Sequence, residues 1–395
     1  MPDQKQNRTC AGATDADRRS ALFVGAFVPS SLGSRGISED VSLRLAASGW
    51  EILTTSRRPG RLGRLADMLF TAWRERQRYQ VAAIDVYSGN AFAWAEAVCW
   101  MLREVHKPYV LMLHGGNLPK FASTRAARVK KLLASACAVT TPSRYLLERM
   151  QAYRKGILLI PNAIEIGNYG FTLRSPAAPR LVWLRAFHHT YQPELAVQTL
   201  AILSNDFQDL QLTMVGPDKG DGSLEQTRRE AEKLRVGQRL VIAGGVAKNQ
   251  VAERLAAADI FLNTSRADNT PVSVIEAMAG GLCIVSTNVG GIPFLLQHER
   301  NALLVNENDP AAMAAAVRRI LTERDLSERL SRNARHDAEQ FDWSAIVPQW
   351  DGLLHSIAQF GQSARVPGSS FALPSKLNKP AVSTDFHPTG TGRTT

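Results

Sequence analysis

Two carboxylates, Asp268 and Glu276, stand eight positions apart in the run S-R-A-D-N-T-P-V-S-V-I-E-A-M-A-G-G from Ser265 to Gly281. An ionised acid accepts two or more hydrogen bonds, so such a pair suits the hydroxyl groups of a sugar. Between the acids, Thr270 is a good helix N-cap and Pro271 fits the first helical position, so a helix is expected to open there. Its packed side is Val274, Ile275, Ala277 and Met278, and Gly280-Gly281 ends it. The free N–H groups and positive end of that helix attract an anionic phosphate. A guest with both phosphate and sugar fits the combination. Spacing alone leaves a plainer reading open, with Asp268 supporting the cap and Glu276 solvated.

The elements around this stretch are legible. Ile260-Phe261-Leu262 places the acid loop at the carboxyl end of a strand; a second short strand, Leu282 to Ser286, follows, and Gly290-Gly291 make a turn before Ile292-Pro293. A strand, loop, helix, strand unit sets its backbone N–H groups at the crevice where open α/β sheets bind ligands.

Asp268 to Glu276, continuing into Ala277-Met278-Ala279-Gly280-Gly281, resembles the donor-binding signature of family 4 of the retaining glycosyltransferases. The resemblance covers about residues 20 to 358. It implies an α/β fold of the GT-B type: two Rossmann-like doubly wound domains facing across a cleft, with a C-terminal helix crossing back to the N-terminal domain. It also implies transfer of a sugar from a nucleotide diphosphate sugar to an acceptor hydroxyl, with retention and without a bound metal, so no cofactor is expected. Carried over residue by residue, it makes His114, Arg185, Asp268 and Glu276 catalytic. Donor contacts fall to Gly33, Arg185, Gly216, Val246, Asp268, Thr270, Pro271, Val272 and Glu276. Two departures stand out. The first acid is usually glutamate and here is Asp268; the family's lysine about five residues after the arginine is Thr190, with His188, His189 and Lys219 as nearby cations. A nucleotide-sugar 2-epimerase can share the fold, and the departures also suit a catalytically silent scaffold that binds a membrane or a partner.

A chain of 395 residues is long enough for two cores, and 45% apolar with 21% charged residues is an ordinary globular composition. Cysteines at 10, 99, 137 and 283 form no CxxC or His/Cys cluster, so neither disulfides nor zinc are expected, and a reducing cytoplasm fits. The longest apolar stretch, Ala91 to Leu102, is interrupted by Glu96 and falls short of a membrane span. Arg18-Arg19 precede an apolar run too short, and without a small-residue cleavage site, for an export signal; a first strand is expected there. The net charge of +11 is one-sided, with 24 basic against 13 acidic residues in 1–165 and 23 of each beyond. That asymmetry points to an acidic surface for the N-terminal half, an anionic membrane rather than nucleic acid, because the basic residues lack interleaved aromatics. A cytoplasmic protein peripheral to the inner face of the membrane follows. Its expected acceptor is a saccharide or lipid-linked saccharide, in assembly of a lipid-linked or cell-surface polysaccharide.

The expected organisation is a disordered tail 1–19, an N-terminal acceptor-binding domain 20–172 and a linker, Phe171 to Pro179. A C-terminal donor-binding domain 178–342, a crossover helix 343–360 and a disordered tail 362–395 complete it. Strands are expected at Ala21 to Val28, Trp50 to Thr54, Val81 to Val86, Pro108 to Leu113 and Cys137 to Thr140, alternating with helices and hence parallel. Glycine-bearing Pro29 to Gly36 is the first βα loop, and His114 ends a strand. Helices are expected over Phe121 to Ala134 and Pro310 to Leu330. From Leu62 to Tyr79 the pattern gives a helix with Leu62, Leu65, Leu69 and Trp73 on one face and a flank of Arg74, Arg76 and Arg78. That helix suits a membrane surface or packing on the sheet with solvated arginines.

Overall fold

A computed structural model describes residues 19–27, 36–58 and 60–363, the side chains through 359. The stretches expected as tails, apart from Arg19 and 362–363, and the first-loop Gly33 lie outside the described residues.

Among the described residues, twelve strands form two parallel sheets. The first holds β1 (Ser20–Val24), β2 (Glu51–Thr55), β3 (Val81–Val86), β4 (Tyr109–Leu113), β5 (Ala138–Thr141) and β6 (Leu158–Leu159), in the order β2-β1-β3-β4-β5-β6. The second holds β7 (Arg180–Leu184), β8 (Gln211–Val215), β9 (Leu240–Gly244), β10 (Ile260–Asn263), β11 (Cys283–Thr287) and β12 (Leu303–Val305), in the order β12-β11-β10-β7-β8-β9. Runs such as Tyr109-Val110-Leu111-Met112-Leu113 are apolar at every position because helices cover both faces of a parallel sheet. Strand order reverses between β1 and β3 in one sheet and between β7 and β10 in the other. Those two reversals open the crevices that bind ligands in such folds.

Among the described residues, the helices of the first sheet are α1 (Ile37–Ala47), α2 (Arg61–Arg74), α3 (Asn90–Glu104), α4 (Leu118–Thr124), α5 (Ala126–Ala134) and α6 (Arg144–Met150). The second has α7 (Pro193–Leu203), α8 (Ser223–Lys233), α9 (Lys248–Ala256), α10 (Val272–Ala279), α11 (Pro310–Thr322) and α12 (Leu326–Ala338). The last helix, α13 (Trp343–Ser363), returns to the first sheet, where Trp343, Trp350, Leu353 and Ile357 share a core with Phe23, Val41 and Ala83. Trp50 Nε1–H donates to Asp351 Oδ1 at 2.7 Å, fixing that return. The crossover expected from the family resemblance is therefore present.

Several boundaries differ from the pattern. The stretch 121–134 breaks at Arg125, and 310–330 breaks before Asp325, whose φ of 62° no helix continues through. On α2 the buried stripe is Met68 and Ala72, while Leu62 is 85%, Phe70 53% and Trp73 48% exposed. Leu62 and Trp73 thus sit outside the stripe that the three-and-four spacing suggested, because i and i+3 spacing fixes relative angle and not which side meets the sheet. Arg76 lies over the Trp73 ring, 5.0 Å from its centroid, and Arg74 over Phe70 at 5.9 Å. The linker is anchored. Arg174 is buried, pairs with Asp259 at 3.3 Å and donates to the carbonyls of Gly280 (2.6 Å) and Ala258 (2.8 Å).

Candidate active site

The reversal between β7 and β10 brings the predicted donor residues together. Arg185 follows β7 and its N–H donates to Val215 O at 3.0 Å. Gly216 lies so close that a Cβ there would stand 1.6 Å from the Arg185 carbonyl oxygen, which is why this position needs glycine. The Arg185 guanidinium pairs with the Asp268 carboxylate and lies 4.5 Å from the centroid of the Tyr191 ring. Its Nε is buried without a hydrogen-bond partner. Burial works against the arginine's charge, opposed by Tyr191 and Glu276.

Asp268 also accepts from Ser265 Oγ at 3.3 Å and from Asn269 N–H at 2.9 Å, so it braces the loop and not a helix cap. The Gly290-Gly291 turn fits directly beneath. Gly291 N–H donates to Asp268 O at 2.9 Å, and a Cβ on Gly291 would lie 1.8 Å from Asn269 O.

Helix α10 begins one residue later than the sequence suggests. Pro271 occupies the N-cap position with φ −70° and ψ 116°, and no side chain caps the helix. Thr270 turns instead to the N-terminal domain: its hydroxyl donates to Pro142 O at 3.4 Å, and its carbonyl accepts from Asn162 Nδ2 at 3.3 Å. Asn269 meets Ser143 alongside. Interdomain contact has taken the capping group away. The first N–H groups of α10, beginning with Val272, have no intrahelical acceptor, and Ser273 Oγ is buried with no partner. Two orphaned buried donors, Arg185 Nε and Ser273 Oγ, therefore accompany a helix N-terminus. Buried polar groups are ordinarily satisfied, and anionic oxygens are the acceptors such a cradle fits.

Glu276 is 4% exposed, which removes the solvated reading. Its Oε1 accepts from the Tyr169 hydroxyl at 2.7 Å and lies 3.4 Å from Lys248 Nζ. Burial and the Glu276 carboxylate push the Tyr169 phenol up, so it remains a donor. Val246 and Val272 pack on the apolar cluster under α10. Neither Tyr169 nor Lys248 was singled out from the sequence: a tyrosine after a turn and a lysine at a helix start carry no signal of a partner 107 or 28 positions away. Lys219 is exposed.

His188, His189 and Asp221 gather three possible ligand atoms within 4.8 Å. Thr190 N–H donates to His188 Nδ1 at 3.2 Å, so in a neutral ring the proton sits on Nε2, 3.7 Å from Asp221. Hydrogen bonds from Ser223 and His189 hold the Asp221 carboxyl well below the usual range. The cluster is arranged as a hydrogen-bonded loop, and a metal would require His188 to lose that proton or its bond to Thr190.

The other reversal, between β1 and β3, carries His114. Its backbone N–H donates to Val86 O at 2.9 Å and its Nε2 meets Asp85 Oδ1 at 2.9 Å. A carboxylate only accepts, so Nε2 holds a proton and Nδ1 is the ring's other face. Ser38 donates to the same carboxylate, and the Tyr87 ring stacks on His114 at 5.0 Å and 22°. A Cβ on Gly25 would stand 2.3 Å from Asp85 Oδ2. Asp85 did carry a sequence signal, being an acid near the end of an otherwise apolar strand. Cys99 and Cys283 are buried, with thiols pushed up to about 12, and are chemically quiet.

Residues 174–337 match the family described as glycosyl transferases group 1. A sulfoquinovosyl transferase of Arabidopsis thaliana is 30% identical over 142 residues, which are 35% of this chain and only 27% of that relative's length. A D-inositol 3-phosphate glycosyltransferase of Geodermatophilus obscurus is 24% identical over 335 residues, 78% of this chain and 73% of that protein. The structure of Anabaena HepE, determined with UDP and glucose, aligns with TM-score 0.68 and 17% identity over 86% of this chain and all of that one, a likeness of fold. The match over residues 174–337 makes the second domain similar to the group 1 glycosyl transferases, and the two doubly wound sheets that frame the crevices give the chain the GT-B fold.

Proposed function

We propose that the protein is a retaining glycosyltransferase that moves a sugar from a nucleotide diphosphate sugar to an acceptor hydroxyl without a metal. The observation that carries this reading is the pair of orphaned donors, Arg185 Nε and Ser273 Oγ, beside the N-terminus of α10. The bond between the sugar's anomeric carbon and the diphosphate oxygen breaks while one to the acceptor oxygen forms, and the acceptor proton passes to the leaving diphosphate. Arg185 and the amides at Val272 and Ser273 stabilise the charge that develops there. Gly216 lets the backbone approach, Glu276 receives the ribose hydroxyls and Asp268 the sugar hydroxyls. His114, held by Asp85, faces the acceptor. Retention rests on the resemblance of the Asp268 to Glu276 signature, and the HepE complex with UDP supports a nucleotide donor.

Thermal melts with UDP, GDP and ADP test the donor site, because a ligand that binds only the folded state raises its melting temperature. One nucleotide should stabilise the protein. Glu276→Ala should weaken that binding by roughly 1 to 3 kcal/mol, the scale of a lost charged hydrogen bond. Unchanged affinity would remove Glu276 from the site, and no shift with any nucleotide would favour a silent scaffold.

The acceptor reading is a saccharide or lipid-linked saccharide, handled by a cytoplasmic protein resting on the membrane's inner face. No helix among the described residues is long and apolar enough to cross a membrane. Support for surface docking comes from α2, where exposed Leu62, Phe70 and Trp73 lie among arginines. Replacing Arg57, Arg58, Arg61 and Arg64 together should lower recovery on anionic vesicles at low salt. Equal recovery would leave the arginines as a solvated face.

A further inference from the structure

We infer that the N-terminal domain seats the apolar chain of a lipid-linked acceptor in a cavity beside His114. The inference deepens the proposed glycosyl transfer and rests on it for the identity of the ligand as an acceptor. A cavity of about 220 Å³ lies at the carboxyl ends of β1 and β3, the point where strand order reverses, between α2 and α3. Its walls are apolar on the side of Met68, Ile84 and Trp94, and polar where Asp85, Tyr87 and Arg64 meet it. Asp85 and Tyr87 are also the groups that hold and stack on His114. The cavity and the histidine therefore share a wall.

An apolar cavity of about 150 Å³ is enough to admit a benzene ring, so this one has room for the first carbons of a chain. The remaining chemistry comes from α2. Arg64, whose Nε donates to Arg58 O at 3.0 Å, brings a cation to the cavity that suits an anionic linkage between chain and sugar, and the same helix exposes Leu62, Phe70 and Trp73. A purely polar acceptor would leave the apolar wall and the exposed helix face unused. The occupant that matches the apolar wall, the cation and the exposed helix face together is a lipid chain joined through a phosphate, drawn from a bilayer.

Calorimetric titration of the full chain with methyl, butyl and octyl phosphate, and with octyl glucoside, tests this. Affinity for the phosphates should rise about threefold to fourfold per methylene over the first several carbons, the effect of burying each CH2, and then level as the cavity fills. Ala91→Phe adds a ring at the half-buried cavity wall and should bring octyl phosphate down toward methyl phosphate. Arg64→Gln should weaken the phosphates and leave octyl glucoside unchanged. The nucleotide-induced thermal shift, which belongs to the other domain, should persist in both variants and certifies their folding. Affinity independent of chain length, or the same rise in Ala91→Phe, overturns the inference. Nucleotide binding without chain binding would sink the cavity and spare glycosyl transfer. Chain binding without any nucleotide effect would do the reverse.

Discussion

Arg185→Ala should lower kcat by a factor on the order of 100 to 1,000, the usual loss when one preorganised group that stabilises transition-state charge is removed. Steady-state rates with the nucleotide sugar that stabilises the protein would show it. Arg185→Lys should recover only part, because an ammonium keeps the charge but not the planar fork that can hold Asp268 and a phosphate at once. Stability must be measured beside activity. Arg185 and Asp268 have side chains 19% and 10% exposed, and removing one partner of a buried pair typically costs about 3 to 5 kcal/mol by stranding the other charge. The double variant Arg185→Ala, Asp268→Ala separates the two effects. If the loss is only a stranded carboxylate, the double variant melts near the wild type and regains affinity for the nucleoside diphosphate, which lacks the sugar that Asp268 holds. If the arginine acts on the diphosphate, stability returns and that affinity does not.

Gly291→Ala should be among the most damaging small substitutions in the donor site. The backbone at Gly291 is ordinary, with φ −88°, so alanine meets no conformational penalty there. The obstacle is space: the added Cβ would fall 1.8 Å from Asn269 O, and neither atom is at the end of a flexible side chain. The acid loop must move by more than an ångström, and misplacement of that size costs on the order of 100-fold in rate. A stability loss of about 1 to 3 kcal/mol, the usual scale for an overpacked site, should accompany it. Wild-type kcat/KM in Gly291→Ala would show that the loop is not held where catalysis needs it. Gly63→Ala, at an exposed position inside α2 with nothing within 4 Å of its Cβ, is the control and should cost neither stability nor rate.

The local pattern from Ile260 to Pro293 was enough to give strand, loop, helix and strand, since burial on both faces of a parallel sheet demands continuous apolar runs and a pair of glycines commonly ends a helix. The spacing of Asp268 and Glu276, and the arginine at the end of β7, likewise named the acids and cation that the fold gathers at one reversal. The family resemblance extended that to GT-B with a returning helix.

What needed the tertiary structure were the relations between distant parts of the chain. Thr270 looked like a cap because capping is local, yet its hydroxyl is held by Pro142, across the domains. Glu276 could have been solvated, until Tyr169 and Lys248 closed on it. The stripe of α2 that meets the sheet, the partner of His114 and the cavity they border depend on which faces are covered after packing. Periodicity and propensity act over a few residues and can be read from the string; a side chain's partner is set by the whole arrangement of backbone around it, and only folding chooses that.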